Sequence, residues 1–282
     1  MKHRQRGLAL ISVMLVLSLA LLITSGLLRS HRLALQSSAQ QLQTLHLRQL
    51  AVSGEIWALR RLHKAFVEQQ NHVEMLRDWP QITPELSSED AKVEVQIEDL
   101  SARFNLNALL HQGQIDAVTL ERWARLLELL ELPALRPDQV GLLSEVSQLR
   151  LLPGFDAPTL WRLEPWVALL PTDATLNINS APALLLRVLE IEPDIADALV
   201  RQRPTTSWHS VQAFSADPLI ADAGINTHGL GVDSRWHRIS VRVVQDQHVL
   251  TLSTDVEFVV KTAQLKVLQR RLLPSRGLEI TQ

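Results

Sequence analysis

LALISVMLVLSLALLITSGLL, residues Leu8 to Leu28, runs without a charge or a proline. Its hydroxyls, Ser12, Ser18, Thr24 and Ser25, can each bond back to their own helix. At about 1.5 Å per residue such a helix spans a hydrocarbon core of roughly 30 Å. Lys2, His3, Arg4 and Arg6 precede it with no acid among them, which predicts a cytoplasmic leader; Arg29 and Arg32 weaken the asymmetry without cancelling it. Beyond the run no proline appears until Pro80, and Leu35, Leu42, Leu45, Val52, Ile56, Leu59 and Phe66 recur at threes, fours and sevens. The pattern predicts one helix from Leu8 to about Val67, half in a membrane and half packed on a folded domain. Gly54 is its weak interior point, and Asp78-Trp79-Pro80 and Pro84 stop it.

A cleaved signal peptide is the ordinary alternative. Its apolar region runs about 7–15 residues and ends at a small-x-small site. Here the run is longer, and the tolerable site Ser37-Ser38-Ala39 lies well past its end. The polar-to-apolar break falls earlier, at Arg6-Gly7-Leu8. A short basic leader, glycine, then a retained helix resembles the type IV prepilin class. That resemblance implies cleavage between Gly7 and Leu8 and N-methylation of Leu8. Most of that class carry glutamate at the fifth mature position, where it pairs with a neighbouring subunit's amine. Here that position is Ser12, which suits a subunit with no neighbour above it.

The 282 residues make one large or two small domains plus the anchor, and 46% hydrophobic content is enough for a packed core. There is no cysteine, so no disulfide and no thiol ligand or nucleophile. Without Lys2, Arg4 and Arg6 the 28 basic residues fall to 25 against 30 acidic ones, a net of −5. That balance argues against general nucleic-acid binding, which wants a basic face.

Lys92 to Leu100 alternates, with Val93, Val95 and Ile97 on one side, and predicts a half-buried strand. Arg103-Phe104-Asn105-Leu106-Asn107 follows, with Asn107 a plausible N-cap. Asp116 to Leu132 is an amphipathic helix stopped by Pro133 and Pro137; Asp138 to Leu149 reads as a second, and Leu160 to Leu170 as a third, broken by Pro165. Leu176-Asn177-Ile178-Asn179-Ser180-Ala181-Pro182 then leads into Ala183–Leu189 and Asp194–Gln202, and Thr206-Ser207-Trp208-His209-Ser210-Val211 begins one more helical turn. This is a helix–hairpin–helix pattern over 176–216. A DNA-binding version would cradle a phosphate on a glycine-containing hairpin. Here the hairpin is Glu190-Ile191-Glu192-Pro193-Asp194, which repels an anion.

Past Gly231 alternation returns in Trp236–Val244 and His248–Val260, joined by Gln245-Asp246-Gln247, and a third strand is expected over Gln264–Leu272. Strands at both ends of a helical middle predict an α+β fold, with 105–230 a helical domain inserted into a sheet domain of 29–104 and 231–282.

With these pieces in order, the chain resembles the protein K (GspK) family of large minor pseudopilins in type II secretion systems, nearly end to end. The resemblance rests on Gly7-Leu8-Ala9-Leu10 without the fifth-position glutamate, and on Arg103, Phe104, Asn105, Leu106 and Asn107. It rests also on Leu151-Leu152-Pro153-Gly154-Phe155, on Leu163-Glu164-Pro165-Trp166 leading to Leu169-Leu170-Pro171, and on Asn177-Ile178-Asn179-Ser180-Ala181. It implies a pilin-like long helix on a small antiparallel sheet with a large helical insertion. It also implies a place with other minor pseudopilins at the tip of a periplasmic filament, whose assembly it starts. The partners implied are those subunits, the major pseudopilin, the prepilin peptidase and the inner membrane, which the chain would cross once. The family's acidic calcium-holding stretch has no counterpart: between Leu132 and Leu151 stand only Asp138 and Glu145, where calcium wants six to eight oxygens. No metal and no cofactor are expected.

Catalysis finds little footing. The 10 histidines form no H-x-x-x-H or H-E-x-x-H arrangement. Ser207, His209 and Ser210 lie close, but no orienting acid or nucleophile elbow is signalled. The two Asn-x-Asn pairs read as caps and turn formers. Three classes remain: a secretion-filament subunit, a membrane-anchored DNA-uptake protein and an exported enzyme. Hairpin chemistry and net charge favour the first over the second, and the missing catalytic constellation favours it over the third.

Overall fold

The computed structural model describes residues 4–68, 91–111, 113–134, 141–203 and 207–273, with the side chains of 4–12 and 111 outside that description. The first of two units ends at Leu50 and consists of the leading part of helix α1 (Arg4–Glu68). It is the one helix among the described residues long and apolar enough to cross a membrane, with a mean hydropathy of 2.0 in its most apolar window. Its side chains from Val13 to Leu28 are exposed. Ser18, Thr24 and Ser25 donate to the carbonyls of Met14, Ala20 and Leu22 at 2.8, 2.7 and 3.0 Å, so none of these three hydroxyls is left unbonded.

The second unit begins at Ala51 and holds the rest of α1 together with a four-stranded antiparallel sheet. Its strands are β1 (Lys92–Asp99), β2 (Trp236–Gln245), β3 (His248–Val259) and β4 (Gln264–Leu273), in spatial order β1-β2-β3-β4. Val93, Val95 and Ile97 stand opposite Val243, Val241 and Ile239, all buried, which is the face the alternation predicted. The last turns of α1 lie on that face. Gly54 is where helix and sheet come closest: a Cβ there would stand 2.7 Å from Val241 Cγ1 and 3.3 Å from Val93 Cγ1. The weak point of the helical pattern is thus a packing requirement. About three turns further along α1, Phe66 stacks on Phe258 with ring centroids 4.2 Å apart and meets His237 edge-on at 5.3 Å. Glu55, 1% exposed, accepts from Thr254 Oγ1 and Arg270 Nε, both at 2.7 Å. That ion pair ties α1 to β3 and β4.

The helical elements lie between β1 and β2. They are α2 (Ala117–Leu129), α3 (Ala157–Leu163), α4 (Ala183–Arg187), α5 (Pro193–Gln202) and α6 (Val211–Ser215). Asp116, Asp156 and Ser210 cap α2, α3 and α6 by accepting from Thr119, Thr159 and Ala213 amides at 2.7, 2.9 and 3.1 Å. One core joins them, centred on Phe104, Leu106, Trp123, Leu126, Leu163, Ile178, Leu185, Leu186, Leu199 and Phe214.

Three local expectations are corrected. Of the helix expected over Asp138–Leu149, residues 138–140 lie outside the described ones, and the rest holds only a 3-10 turn, Val146–Leu151. Gln148 Oε1 folds back onto the Ser144 and Glu145 amides, and only Leu149 of this turn is buried, so no apolar stripe extends it. The third helix starts earlier than expected, at Ala157, because Asp156 caps it. It passes at Glu164–Trp166 into a 3-10 turn and ends extended at Val167–Ala168. Finally, Asn105 and not Asn107 caps the turn Leu106–Leu109, its side chain accepting from the Asn107 amide at 3.1 Å.

Candidate functional site

Of the residues the sequence singled out, Gly7, Leu8 and Ser12 have side chains outside the described ones; their backbone belongs to α1. The others converge on the junction between sheet and helices. Arg103 pairs with Glu98 of β1 at 2.6 Å and reaches the Glu164 carbonyl at 3.4 Å. Phe104 packs against Trp123, ring centroids 5.8 Å apart.

The two Asn-x-Asn segments share one construction. In each, a two-residue parallel ladder ends on the first asparagine: Phe104 and Asn105 pair with Val167 and Ala168, and Leu176 and Asn177 with Leu230 and Gly231. In each, that asparagine's Oδ1 accepts from the amide of the second, at 3.1 Å for Asn107 and 2.9 Å for Asn179. The second asparagine then clamps a distant residue as a peptide group would. Asn107 accepts from the Leu143 amide at 2.9 Å and donates to its carbonyl at 3.1 Å; Asn179 does the same with Trp208, both at 3.0 Å. Its Nδ2 also reaches the returning chain, at Leu170 O (3.2 Å) or Val232 O (3.5 Å). Caps and turns, the role expected from sequence, describe only the first asparagine of each pair. The second closes loops of some thirty residues, and sequence spacing carries no signal for that.

A partly buried node that sequence reading did not find joins the second segment to the sheet. Asp99, the last residue of β1, accepts from the Ser101 amide at 2.8 Å and from Ser180 Oγ at 2.5 Å, and also from Ser234 Oγ. Ser234 Oγ in turn accepts from Asn177 Nδ2 at 2.6 Å. Gly231 fits here because a Cβ would meet Thr175 Oγ1 at 2.2 Å. Buried polar atoms this well paired fix one arrangement of sheet against helices.

A cavity of about 270 Å³ opens between the two segments, lined among others by Phe104, Asn105, Asp116, Arg122, Leu185 and His228. Its polar groups are already engaged: Asp116 pairs with His228 at 3.1 Å, and Arg122 donates to the His228 and Asn226 carbonyls. Burial raises the Asp116 pKa, but the Thr119 hydrogen bonds and His228 outweigh it and hold the carboxyl below its ordinary value. Among the described residues no group of three or more His, Asp or Glu is placed to hold a metal; Asp138 lies outside them. Nothing in this arrangement presents a nucleophile to a base.

The hairpin between α4 and α5 has the left-handed turn that glycine usually takes, but Glu190 occupies it at φ 70°. Its carboxylate pairs with Arg125 at 2.6 Å. Glu192 and Asp194 follow at the start of α5, where their charge suits the positive helix end. Three carboxylates thus stand where a DNA-binding hairpin would receive a phosphate.

Comparison with known proteins gives a consistent result. A family model for type II secretion system (T2SS), protein K matches residues 176–233, the second Asn-x-Asn segment with α4, α5 and α6. The type II secretion system protein K of Pseudomonas aeruginosa is 30% identical over 259 residues, which is 76% of this chain and 77% of that one. That of Klebsiella pneumoniae is 28% identical over 267 residues, covering 78% and 82%. A chain in the crystal structure of the GspK-GspI-GspJ complex from enterotoxigenic Escherichia coli has the same fold, with a TM-score of 0.70 at 21% identity. The match covers 84% of this chain and 99% of that one.

Proposed function

Since the chain belongs to the type II secretion system protein K family, we propose that it is a minor pseudopilin at the tip of a periplasmic pseudopilus. There it joins partners equivalent to GspI and GspJ, starts filament assembly and supports export of folded proteins across the outer membrane. It acts as a structural subunit and not as an enzyme. The observation that carries this reading is the likeness of its fold, over 84% of its length, to a chain of the GspK-GspI-GspJ complex. Residues 8–28 anchor it once in the inner membrane, with the bulk in the periplasm. Residues 1–7 are the leader removed between Gly7 and Leu8, and Leu8 is then N-methylated.

In this reading residues 29–104 and 231–282 form the pilin-like part and 105–230 the inserted helical part. Ser12 is the residue that defines the tip. A fifth-position carboxylate would draw the amine of the next subunit with roughly 4 kcal/mol at 4 Å and an effective dielectric near 20, before desolvation. Ser12 draws none, and the subunit ends the stack. The acidic hairpin favours protein partners over DNA. The test is to purify filaments and quantify the chain against the major pseudopilin. Trace amounts that co-purify with the GspI and GspJ equivalents are expected; near-equal amounts along the shaft would overturn the tip assignment. Gly7→Val should leave uncleaved precursor in the membrane, read by mass spectrometry of the amino terminus.

A further inference from the structure

One buried titratable side chain has no part in the junction described above. His237 is 0% exposed, and neither ring nitrogen has a hydrogen-bond partner. It stands on β2 directly opposite Asp99 of β1 and Val256 of β3. The Phe66 ring of α1 closes over it edge-on, held there by its stack on Phe258. Imidazole so placed has an aromatic ring from near the end of α1 against it. Its register partner on β1 carries the carboxylate that Ser180 and Ser234 occupy.

We propose that His237 is a proton-sensitive joint: acidification charges it, lifts the Phe66 end of α1 and loosens the Asp99 junction with the inserted helices. The charged groups facing it among the described residues are few. From β1 there is Asp99, one register pair away. From α1 there are Glu55, engaged by Thr254 and Arg270, and His63, whose Nε2 is bonded to the Ala263 carbonyl at 2.9 Å. From β4 there is Arg270 itself, and β3 offers none on this face, since Asp255 pairs with Arg238 and Arg271 on the other. Imidazolium has two acceptors near it, Asp99 and the Arg235 carbonyl, and both are already engaged, the first by the Ser101 amide and the Ser180 and Ser234 hydroxyls and the second by the Phe258 amide. Competing for these acceptors, or admitting water past Phe66, loosens a contact that fixes the helices or α1 on the sheet.

Burial pushes the His237 pKa below the ordinary histidine value, and this outweighs the pull of Asp99 and of the Arg235 carbonyl, which makes no well-formed hydrogen bond to the ring. The sign follows. A histidine depressed in the closed state contributes stability that is present above about pH 6.5 and is lost as pH falls below it. One coupled proton lets the open fraction rise by up to about tenfold per pH unit in that range.

The test uses the full chain in detergent micelles. Hydrogen exchange of the peptide covering residues 59–68, corrected for intrinsic rate, is compared at pH 7.5, 6.0 and 5.0. The expected result is a rise of up to about tenfold per unit below pH 6.5 in the wild type, and a flat profile in His237→Phe. Should that variant fold poorly, Phe66→Ala gives an independent reading. Removing the ring should let the His237 imidazole, followed by NMR in histidine-labelled protein, titrate nearer the ordinary value. Equal pH dependence in wild type and His237→Phe would overturn the proposal. So would an imidazole that titrates identically with and without Phe66.

Discussion

Replacing Asn179 by alanine tests the clamp most sharply, because its twin supplies the control. Asn179 is 2% exposed, and its amide pairs both backbone groups of Trp208, itself 6% exposed, at 3.0 Å. The third contact, 3.5 Å to Val232 O, lies at the limit of a hydrogen bond and adds little. Truncation leaves a buried N–H and a buried C=O without partners and without room for bulk water. At about 1–3 kcal/mol for each stranded group, the cost is roughly 2–6 kcal/mol. Asn107→Ala removes the same pair of bonds from Leu143, with a third at 3.2 Å to the Leu170 carbonyl. Asn107 and Leu143 are only half-buried, so water can replace the lost amide at Leu143 and the cost there falls to about 1–2 kcal/mol. Urea unfolding of the full chain in detergent, with the slope of each transition checked against wild type, gives both numbers. Asn179→Ala should cost more than Asn107→Ala. Equal costs, or the reverse order, would refute the argument that burial of the clamped residue sets its worth.

Three further outcomes follow from particular contacts. Gly54→Leu would drive a branched side chain into Val241 and Val93, and overpacking of this kind costs about 1–3 kcal/mol or more; a thermal melt unchanged from wild type would contradict the close approach. Arg270→Met takes the charged partner from the Glu55 carboxylate, 1% exposed, which keeps Thr254; with Arg270 half exposed the cost should be about 1–3 kcal/mol. Adding Glu55→Gln should recover much of that in a double-mutant cycle, and strict additivity would count against the pair. The lowered Asp116 pKa makes the α2 cap a source of stability present above the ordinary carboxyl value and lost as pH falls through the folded one. Asp116→Asn should therefore flatten the stability profile in the acid limb below about pH 4, measured by denaturation across pH, and an unchanged limb would place the effect elsewhere.

How much was legible varied with how local the signal was. The anchor half of α1 follows from an uncharged run, and β1 and β2 follow from strict alternation, because both patterns are set by the chain's own neighbours. Gly54 looked like a flaw in the helix, since helical propensity cannot see the two valines that need its missing Cβ. Asp156-Ala157-Pro158-Thr159 is a cap followed by an early proline, so the start of α3 was readable and was passed over in favour of apolar spacing. Asn107 met every local condition for a cap and still serves Leu143, thirty-six residues on. Asp99, Ser234 and Glu55 carry no sequence signal at all, for each depends on a partner more than eighty residues away. The candidate site was therefore visible as residue types and invisible as a network.

The chain leaves the sheet at Asp99 and comes back at Trp236, and Asp99 stands opposite His237. Helices α2 to α6 are in this sense the loop of one β-hairpin. The two-residue turn between β2 and β3 and the four-residue turn between β3 and β4 are cheap to close. Bringing β1 to β2 across about 135 residues costs on the order of 2–3 kcal/mol more in chain entropy than a ten-residue loop would. Folding order should reflect this. The β2-β3-β4 meander can form at once after synthesis of its own residues, whereas β1 gains its place only when the helices have drawn its end back to the sheet. A strand delayed in this way waits with an open edge at β2. The helix α1, which precedes every strand in the chain, must wait longest for the face it covers.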